Sequence, residues 1–341
     1  MTHPLNVALV GYGFAGKTFH SPLISACPDL QLHTVVSTRP DDVLADWPDA
    51  QVVHDLPTAL ADLEIDLVVI ATPDALHAEQ AEAALTAGKA VVVDKPFALS
   101  LADARRVVAL AEERNLFLSV FQNRRWDADF LALKAEIASG RLGRIVTYES
   151  HFDRYRPVVR DRWREGPGGG VWQDLGPHLI DQALVLFGRP LGITCDLAIQ
   201  RDGGLAPDWA HAVLRYQHIR VVLNAAMLIA APDVRFAVHG TKGSWLTSGL
   251  DPQEDQLKSG MPVGSAGWGV DPLSPIFVEG ETGDRSPAPG PAGDYPAYYA
   301  AVAEALRGDG PNPVPPSEAL LVMEVLEAGM QSSRERREVL L

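Results

Sequence analysis

The hexapeptide Gly11-Tyr12-Gly13-Phe14-Ala15-Gly16 constrains this 341-residue chain more than any other feature, because it sits where an apolar run ends and a helical pattern begins. A GxGxxG pattern by itself says little, since glycine-rich turns also occur without a ligand. Here Leu5-Asn6-Val7-Ala8-Leu9-Val10 before it reads as a buried strand. After it, Phe14, Phe19, Leu23 and Ile24 fall on one side of a helix predicted over 13–26. In such a turn Gly11 permits the sharp bend, Gly13 lets a diphosphate approach the backbone, and Gly16 allows the helix to pack against the strand. The helix N-terminus adds free N–H groups and a positive dipole end, so dinucleotide binding is the expectation, with Phe14 and Ala15 in the same turn.

The strand–helix unit then recurs. Apolar runs at 32–36, 52–53, 67–70, 90–93 and 117–121 read as strands, separated by helices over 75–87 and 101–113. Short apolar strands alternating with helices imply a doubly wound parallel sheet covered on both faces. After Trp126 the pattern changes. A helix over 130–138 precedes strand-like segments at 144–152, 191–200, 210–216, 221–229 and 234–239, mostly without helices between them. That half reads as an open, mainly antiparallel sheet with a helix near 179–187. The Gly/Pro-rich stretch 250–296 reads as a long ordered loop or flap, and helices over 297–306 and 316–334 close the chain. At about 150 residues per domain the length fits two domains, here 1–124 for the dinucleotide and 125–341 for substrate binding and oligomerisation.

Lys and Arg number 29 against 44 Asp and Glu, a net charge of −15. Nucleic acid and anionic membrane surfaces need clustered cations, so neither is expected as a partner. The longest apolar stretch, 221–231, is eleven residues interrupted by Asn224, too short to span a bilayer. The start, Met1-Thr2-His3-Pro4, lacks the basic flank and apolar core of a signal peptide, so a cytoplasmic location is expected. Cys27 and Cys195 form no metal-binding spacing, and no metal site is expected.

The end of the second strand selects the dinucleotide. An NAD site would carry a carboxylate there for the ribose 2′-OH. This chain has Val36-Ser37-Thr38-Arg39: two hydroxyls and a forked guanidinium suited to a 2′-phosphate. NADP is therefore expected over NAD, unless Arg39 is merely a solvated turn residue.

Further along come Ala71-Thr72-Pro73-Asp74 with His77, then Val93-Asp94-Lys95-Pro96, then Gln122-Asn123-Arg124-Arg125-Trp126, and finally Asp174-Leu175-Gly176-Pro177-His178. In this order, and with the fingerprint, they closely resemble the Gfo/Idh/MocA family of NAD(P)-dependent oxidoreductases, over essentially the whole chain. The resemblance is closest to a branch holding NADP-dependent scyllo-inositol dehydrogenases. It rests there on Gly16-Lys17-Thr18-Phe19-His20, on His151-Phe152-Asp153-Arg154-Tyr155-Arg156, and on Gly240-Thr241-Lys242-Gly243 leading to Leu250-Asp251-Pro252-Gln253. Asp94 departs from the family's usual Glu, and Asp74 from its frequent Asn. The resemblance implies a Rossmann domain followed by an α/β domain with an open, largely antiparallel sheet, and a substrate cleft between them. It also implies a homodimer or homotetramer formed through the C-terminal sheet.

Hydride exchange between an alcohol and a nicotinamide needs a proton acceptor, a cation for the developing alkoxide, and a fixed carbinol C–H. Lys95 follows a parallel strand on the side where open α/β sheets bind ligands. The family's lysine there contacts the nicotinamide ribose and the substrate hydroxyl. Asp174 and His178 stand four apart; Pro177 suits a helix's first turn, so Asp174 is expected just before a helix and His178 within its first turn. His178 is the expected acid/base, with Asp174 accepting a substrate hydroxyl, although a capping Asp and a packed His give the same spacing. Lys95, Asp174 and His178 are thus the expected catalytic group. On the cofactor side the expectation covers Thr72, Pro73, His77, Lys95, Pro96, Asn123, Arg124 and Trp126, together with the residues already named. Tyr155 and Trp172 would suit a polyhydroxylated ring, and His20 could line the cleft. Arg154, Arg156, Arg160 and Arg162 could bind hydroxyls or simply pair with carboxylates. The substrate is expected to be a sugar or cyclitol oxidised at a secondary alcohol. A C=N or C=C reductase and a non-catalytic NADP sensor are the alternatives, and the sensor has no need of a proton donor.

Overall fold

A computed structural model describes residues 3–231 and 233–341. The chain divides into two compact units. The first runs to Trp126 and takes in Gln253–Trp268 and Asp294–Leu320; the second holds Asp127–Pro252, Gly269–Gly293 and Leu321–Leu341.

The first unit is built on a parallel sheet of β1 (Leu5–Val10), β2 (Leu30–Val36), β3 (Gln51–Val53), β4 (Leu67–Ile70), β5 (Ala90–Val93) and β6 (Leu118–Val120). Their spatial order is β3-β2-β1-β4-β5-β6, which reverses direction between β1 and β4. Every residue of β4 and β5 is buried, as expected of strands covered on both faces. The switch point between β1 and β4 is where such sheets bind ligands, beyond the strands' C-terminal ends. The helix after the fingerprint differs from expectation. Its first part, Gly16–His20, is a π-helical turn, and an α-helical turn follows at Ser21–Ser25. There the Ser21 N–H reaches Gly16 O, five back, and Pro22, with no N–H to donate, opens the α-helical turn that follows.

The second unit holds a nine-stranded sheet. Its strands are β7 (Ile145–Asp153), β8 (Gly192–Ala198), β9 (Trp209–Arg215), β10 (Arg220–Ala226), β11 (Phe236–Gly240), β12 (Gly243–Thr247), β13 (Ile276–Glu279), β14 (Arg285–Pro287) and β15 (Val339–Leu340). The order is β14-β13-β12-β11-β7-β10-β9-β8-β15, antiparallel throughout except for the β10–β7 pair. Period-two alternation puts Tyr148, Ser150 and Phe152 in the core and leaves Glu149, His151 and Asp153 on the other face. On that face His151 bonds Asp153 at 3.1 Å and Asn224 at 3.2 Å, and Asn224 bonds His211 at 2.7 Å. Beneath the sheet, Arg235 is fully enclosed, paired with Asp129 at 3.1 Å and donating to Ser150 and Gln182.

Two sequence expectations are corrected here. The stretch 250–296 is not a loop throughout. It contains the helix Gln253–Lys258 and the strands β13 and β14, which extend the sheet beyond β12. Ile276-Phe277-Val278 is too short a run to stand out, yet Phe277 is buried under the Arg141 guanidinium, 4.0 Å from the ring centroid. Pro287 is tolerated because β14 is the edge strand. Likewise the helix carrying Asp174 begins at Val171, not beyond Asp174, and Pro177 lies inside it. Burial of Val171, Trp172 and Leu175 extends it upstream, after Gly170 turns the chain at φ +124°.

Candidate active site

At the end of β1 the three fingerprint glycines do separate work. Gly11 has φ +97°, and a Cβ there would lie 2.9 Å from the Ala71 carbonyl oxygen. A Cβ on Gly16 would stand 2.1 Å from the Gly11 carbonyl oxygen, so helix and strand touch only because it is absent. Around Gly13 a Cβ would meet nothing within 4 Å: this is open space over the turn, where a diphosphate fits. Phe14 is exposed beside it and packs edge-on against Phe19, with ring centroids 5.8 Å apart.

The end of β2 closes on this turn. Arg39 donates from Nη2 to the Tyr12 carbonyl, and its Nη1 lies 3.2 Å from Asp42. The Ser37 hydroxyl accepts the Arg39 backbone N–H at 3.0 Å, and Thr38 is exposed between them. Lys17 and the Tyr12 hydroxyl both meet Asp46 Oδ2, each at 2.7 Å. Hydrogen bonding to Lys17 holds the Asp46 carboxyl below its usual range. Burial, with Asp46 beside it, raises the Tyr12 phenol well above its ordinary value, so it keeps its proton and donates. Tyr12, Lys17, Asp42 and Asp46 were not singled out from sequence. The available signal was the i,i+3 spacing of Arg39 and Asp42 and the acidic first turn of the helix Pro40–Asp46.

Beyond β4 and β5, His77 links two loops. Its ring nitrogens face the Pro96 carbonyl at 2.8 Å and the Thr72 carbonyl at 2.9 Å, and it is 1% exposed. Both ring nitrogens of His77, a residue expected on the cofactor side, thus face carbonyls of the chain itself. The Thr72 hydroxyl donates to Gln80 at 2.7 Å, Pro73 precedes the turn Asp74–Leu76, and the Lys95–Pro96 peptide is cis. Lys95 is half-buried, and its backbone N–H donates to Asp94 Oδ1 at 2.8 Å. Burial works against the Asp94 charge, but the hydrogen bond and charge of His20, with His77 and Lys95, outweigh it and hold the carboxyl below the usual range.

His20 does not line an open site. It is fully buried, with Nδ1 2.6 Å from the Tyr299 hydroxyl and Nε2 3.7 Å from Asp94 Oδ1. Burial raises the Tyr299 phenol well above its ordinary value, so that hydroxyl retains its hydrogen. Nothing local announces a pair 279 positions apart.

The segment after β6 also differs from expectation. Arg124 is buried and donates to Glu254 at 2.9 Å, Asn123 is buried, and Trp126 packs edge-on against Tyr298 at 5.5 Å. Arg125 pairs with Glu318 at 2.6 Å. The Arg124 guanidinium and the Trp126 ring, both expected on the cofactor side, thus make contacts within this unit.

In the second unit, Asp174 and His178 occupy successive turns of the helix Val171–Phe187 and so share one face. Asp174 Oδ1 lies 3.5 Å from Arg164 Nε and remains partly open to solvent. His178 is 4% exposed, its ring 6.2 Å from that of Phe152. Tyr155 is well exposed, where its backbone bridges Leu228. Trp172 is corrected from a substrate contact to a core residue. It is fully enclosed, its indole N–H donates to the Leu326 carbonyl at 3.0 Å, and Gly176 and Gly329 lie against its ring. Arg160 and Arg162 pair with Glu165 at 3.0 and 3.2 Å, and Arg201 joins them at 3.0 Å. Burial of Glu165 opposes its charge, but Arg160 and Arg201 outweigh that and hold it below its usual range. Among the described residues, no three His, Cys, Asp or Glu side chains cluster so as to hold a metal ion, and no helix is long and apolar enough to cross a membrane.

Comparison with known proteins agrees with this architecture. Residues 5–122 match the oxidoreductase family's NAD-binding Rossmann fold, and residues 134–341 match its C-terminal alpha/beta domain. The chain is 50% identical over 340 residues to "Uncharacterized oxidoreductase YdgJ" of Escherichia coli (strain K12), covering 98% of each. It is 36% identical over 345 residues to "scyllo-inositol 2-dehydrogenase (NADP(+)) IolW" of Bacillus subtilis (strain 168), covering 99% of this chain and 96% of that one. A solved structure from Yersinia pestis, YPO2259, superposes with a TM-score of 0.97 at 48% identity, covering 100% of this chain and 98% of the other. The fingerprint turn, the parallel sheet, the mainly antiparallel second sheet and both domain matches lead to one assignment: the chain is an oxidoreductase of the Gfo/Idh/MocA family, with a Rossmann domain for a nicotinamide cofactor.

Proposed function

We propose that this chain is an NADP-dependent oxidoreductase that interconverts a secondary alcohol and a ketone on a sugar or cyclitol. The observation that carries the cofactor choice is Arg39, whose guanidinium rests on the Tyr12 carbonyl inside the fingerprint turn. Ser37, Thr38 and Arg39 would hold the 2′-phosphate, while the open backbone at Gly13 and the neighbouring Gly11, Phe14, Ala15 and Gly16 would hold the diphosphate. Support for a polyhydroxylated substrate comes from the B. subtilis relative, named for NADP and scyllo-inositol.

When bound, the nicotinamide takes up or gives back the hydride. The protein's share is charge and proton handling. For oxidation, His178 accepts the hydroxyl proton, Lys95 stabilises the developing alkoxide through its ammonium, and Asp174 accepts a substrate hydroxyl. Thr72, Pro73, Pro96 and Asn123 shape the nicotinamide side, with Tyr155 open to the substrate. The polar, helix-free face of the second sheet, with His151, Asn224 and His211, is proposed as the contact with a second copy of the chain.

NADPH is expected to bind at least about tenfold tighter than NADH, a modest gain for one charge-assisted phosphate contact. Arg39→Ala removes most of that difference. Calorimetric titration of both cofactors checks this, and equal affinities in the wild type contradict the NADP reading.

A further inference from the structure

Arg39, the cation this reading gives to the 2′-phosphate, is already partly engaged. One amino group rests on the Tyr12 carbonyl and the other lies 3.2 Å from the Asp42 carboxylate, three residues on. Both side chains are more than half exposed, at 57% and 52%, so the pair is screened and exchangeable. We infer that Asp42 is a specificity-determining residue that competes with the 2′-phosphate for Arg39 and so limits how strongly the chain prefers NADP over NAD.

The two anchors of Arg39 differ in kind. The Tyr12 carbonyl belongs to the fingerprint turn, and it is neutral. The Ser37 hydroxyl fixes the Arg39 backbone N–H at 3.0 Å, and Tyr12 is itself tied to Asp46, which also holds Lys17. These contacts place Arg39 without opposing an anion. Among the described residues, Asp42 is the carboxylate that pairs with the guanidinium. A phosphate arriving there must displace the ion pair that Asp42 makes with the guanidinium and sit near its charge. NAD, which ends in a hydroxyl at that carbon, meets neither cost. Asp42 therefore weakens NADP selectively, while Tyr12 and Ser37 keep Arg39 in place when Asp42 is neutralised.

The inference rests on the NADP reading, and the test separates the two. NADP⁺ and NAD⁺ are titrated calorimetrically into the wild type, Asp42→Asn and Asp41→Asn. The last removes the same charge from the same helical turn. Asp42→Asn is expected to bind NADP⁺ about three- to fivefold tighter with NAD⁺ unchanged, the scale of one exposed ion pair. Asp41→Asn is expected to change NADP⁺ affinity by less than about twofold, and the Asp42→Asn gain should shrink in high salt. If the wild type binds both cofactors equally, the NADP reading falls and this inference with it. If the wild type prefers NADP⁺ but Asp42→Asn binds it no tighter, or more weakly, Asp42 orients Arg39 instead of competing for it. The competition is then overturned while the NADP reading stands.

Discussion

Replacing Lys95 by alanine is expected to lower kcat by on the order of a hundredfold or more while NADPH affinity stays within about threefold. The asymmetry follows from what the side chain does. An ammonium that gains interaction as the hydroxyl becomes an alkoxide acts on the transition state, and losing such a contact typically costs two to three orders of magnitude. Cofactor binding is distributed over the fingerprint turn and the end of β2, whereas the Lys95 backbone N–H goes to Asp94. The Lys95 side chain is only half-buried, and Asp94 keeps the backbone N–H of position 95 in the variant, so the variant should fold. Steady-state kinetics with a parallel NADPH titration decide it. Near-normal kcat would remove Lys95 from the reacting group.

His178→Asn is expected to lower kcat by roughly a hundred- to ten-thousandfold, the range for a positioned general acid/base. The pH profile carries the more specific information. For alcohol oxidation the imidazole must be neutral to accept the proton, so kcat/KM should rise with pH through the His178 pKa in the free enzyme. In the variant that acidic limb should flatten. If the limb survives unchanged in His178→Asn, proton transfer belongs to Lys95 or to a group acting through it.

The fold and the site differ in how far local sequence reaches. The parallel strands were legible because covered strands are short, continuous apolar runs, as in Leu67–Ile70 and Ala90–Val93. The helix Leu101–Glu113 has its cap written beside it, with Ser100 accepting the Asp103 N–H at 3.1 Å. The strands β13 and β14 were hidden because their residues sit among glycines and prolines and gain their order from pairing at the sheet edge. Motif reasoning assigned polar residues to the site by type, and burial reassigned several of them. Trp172 was offered to a sugar ring because indoles suit sugars, yet two glycines and the Leu326 carbonyl enclose it. His77 was offered to the cofactor side by the family resemblance, and its two nitrogens face carbonyls of two loops, a packing role that sequence does not show. Arg124 found its partner at Glu254, 130 positions away, and His20 found Tyr299 still farther on. Such long-range pairs leave no periodicity to read. Arg39 stood out in the sequence because it follows the strand end expected to meet the ribose, whereas the proposal for Asp42 needed its distance to Arg39.

The most direct test of the account is turnover. The purified protein with NADP⁺ is offered a panel of inositols, sugars and linear polyols, and absorbance is followed at the reduced-nicotinamide band. The account predicts substrate-dependent NADPH formation with at least one ring polyol, and loss of that signal in Lys95→Ala. Tight NADPH binding without turnover on any member of the panel, in either direction, would contradict it.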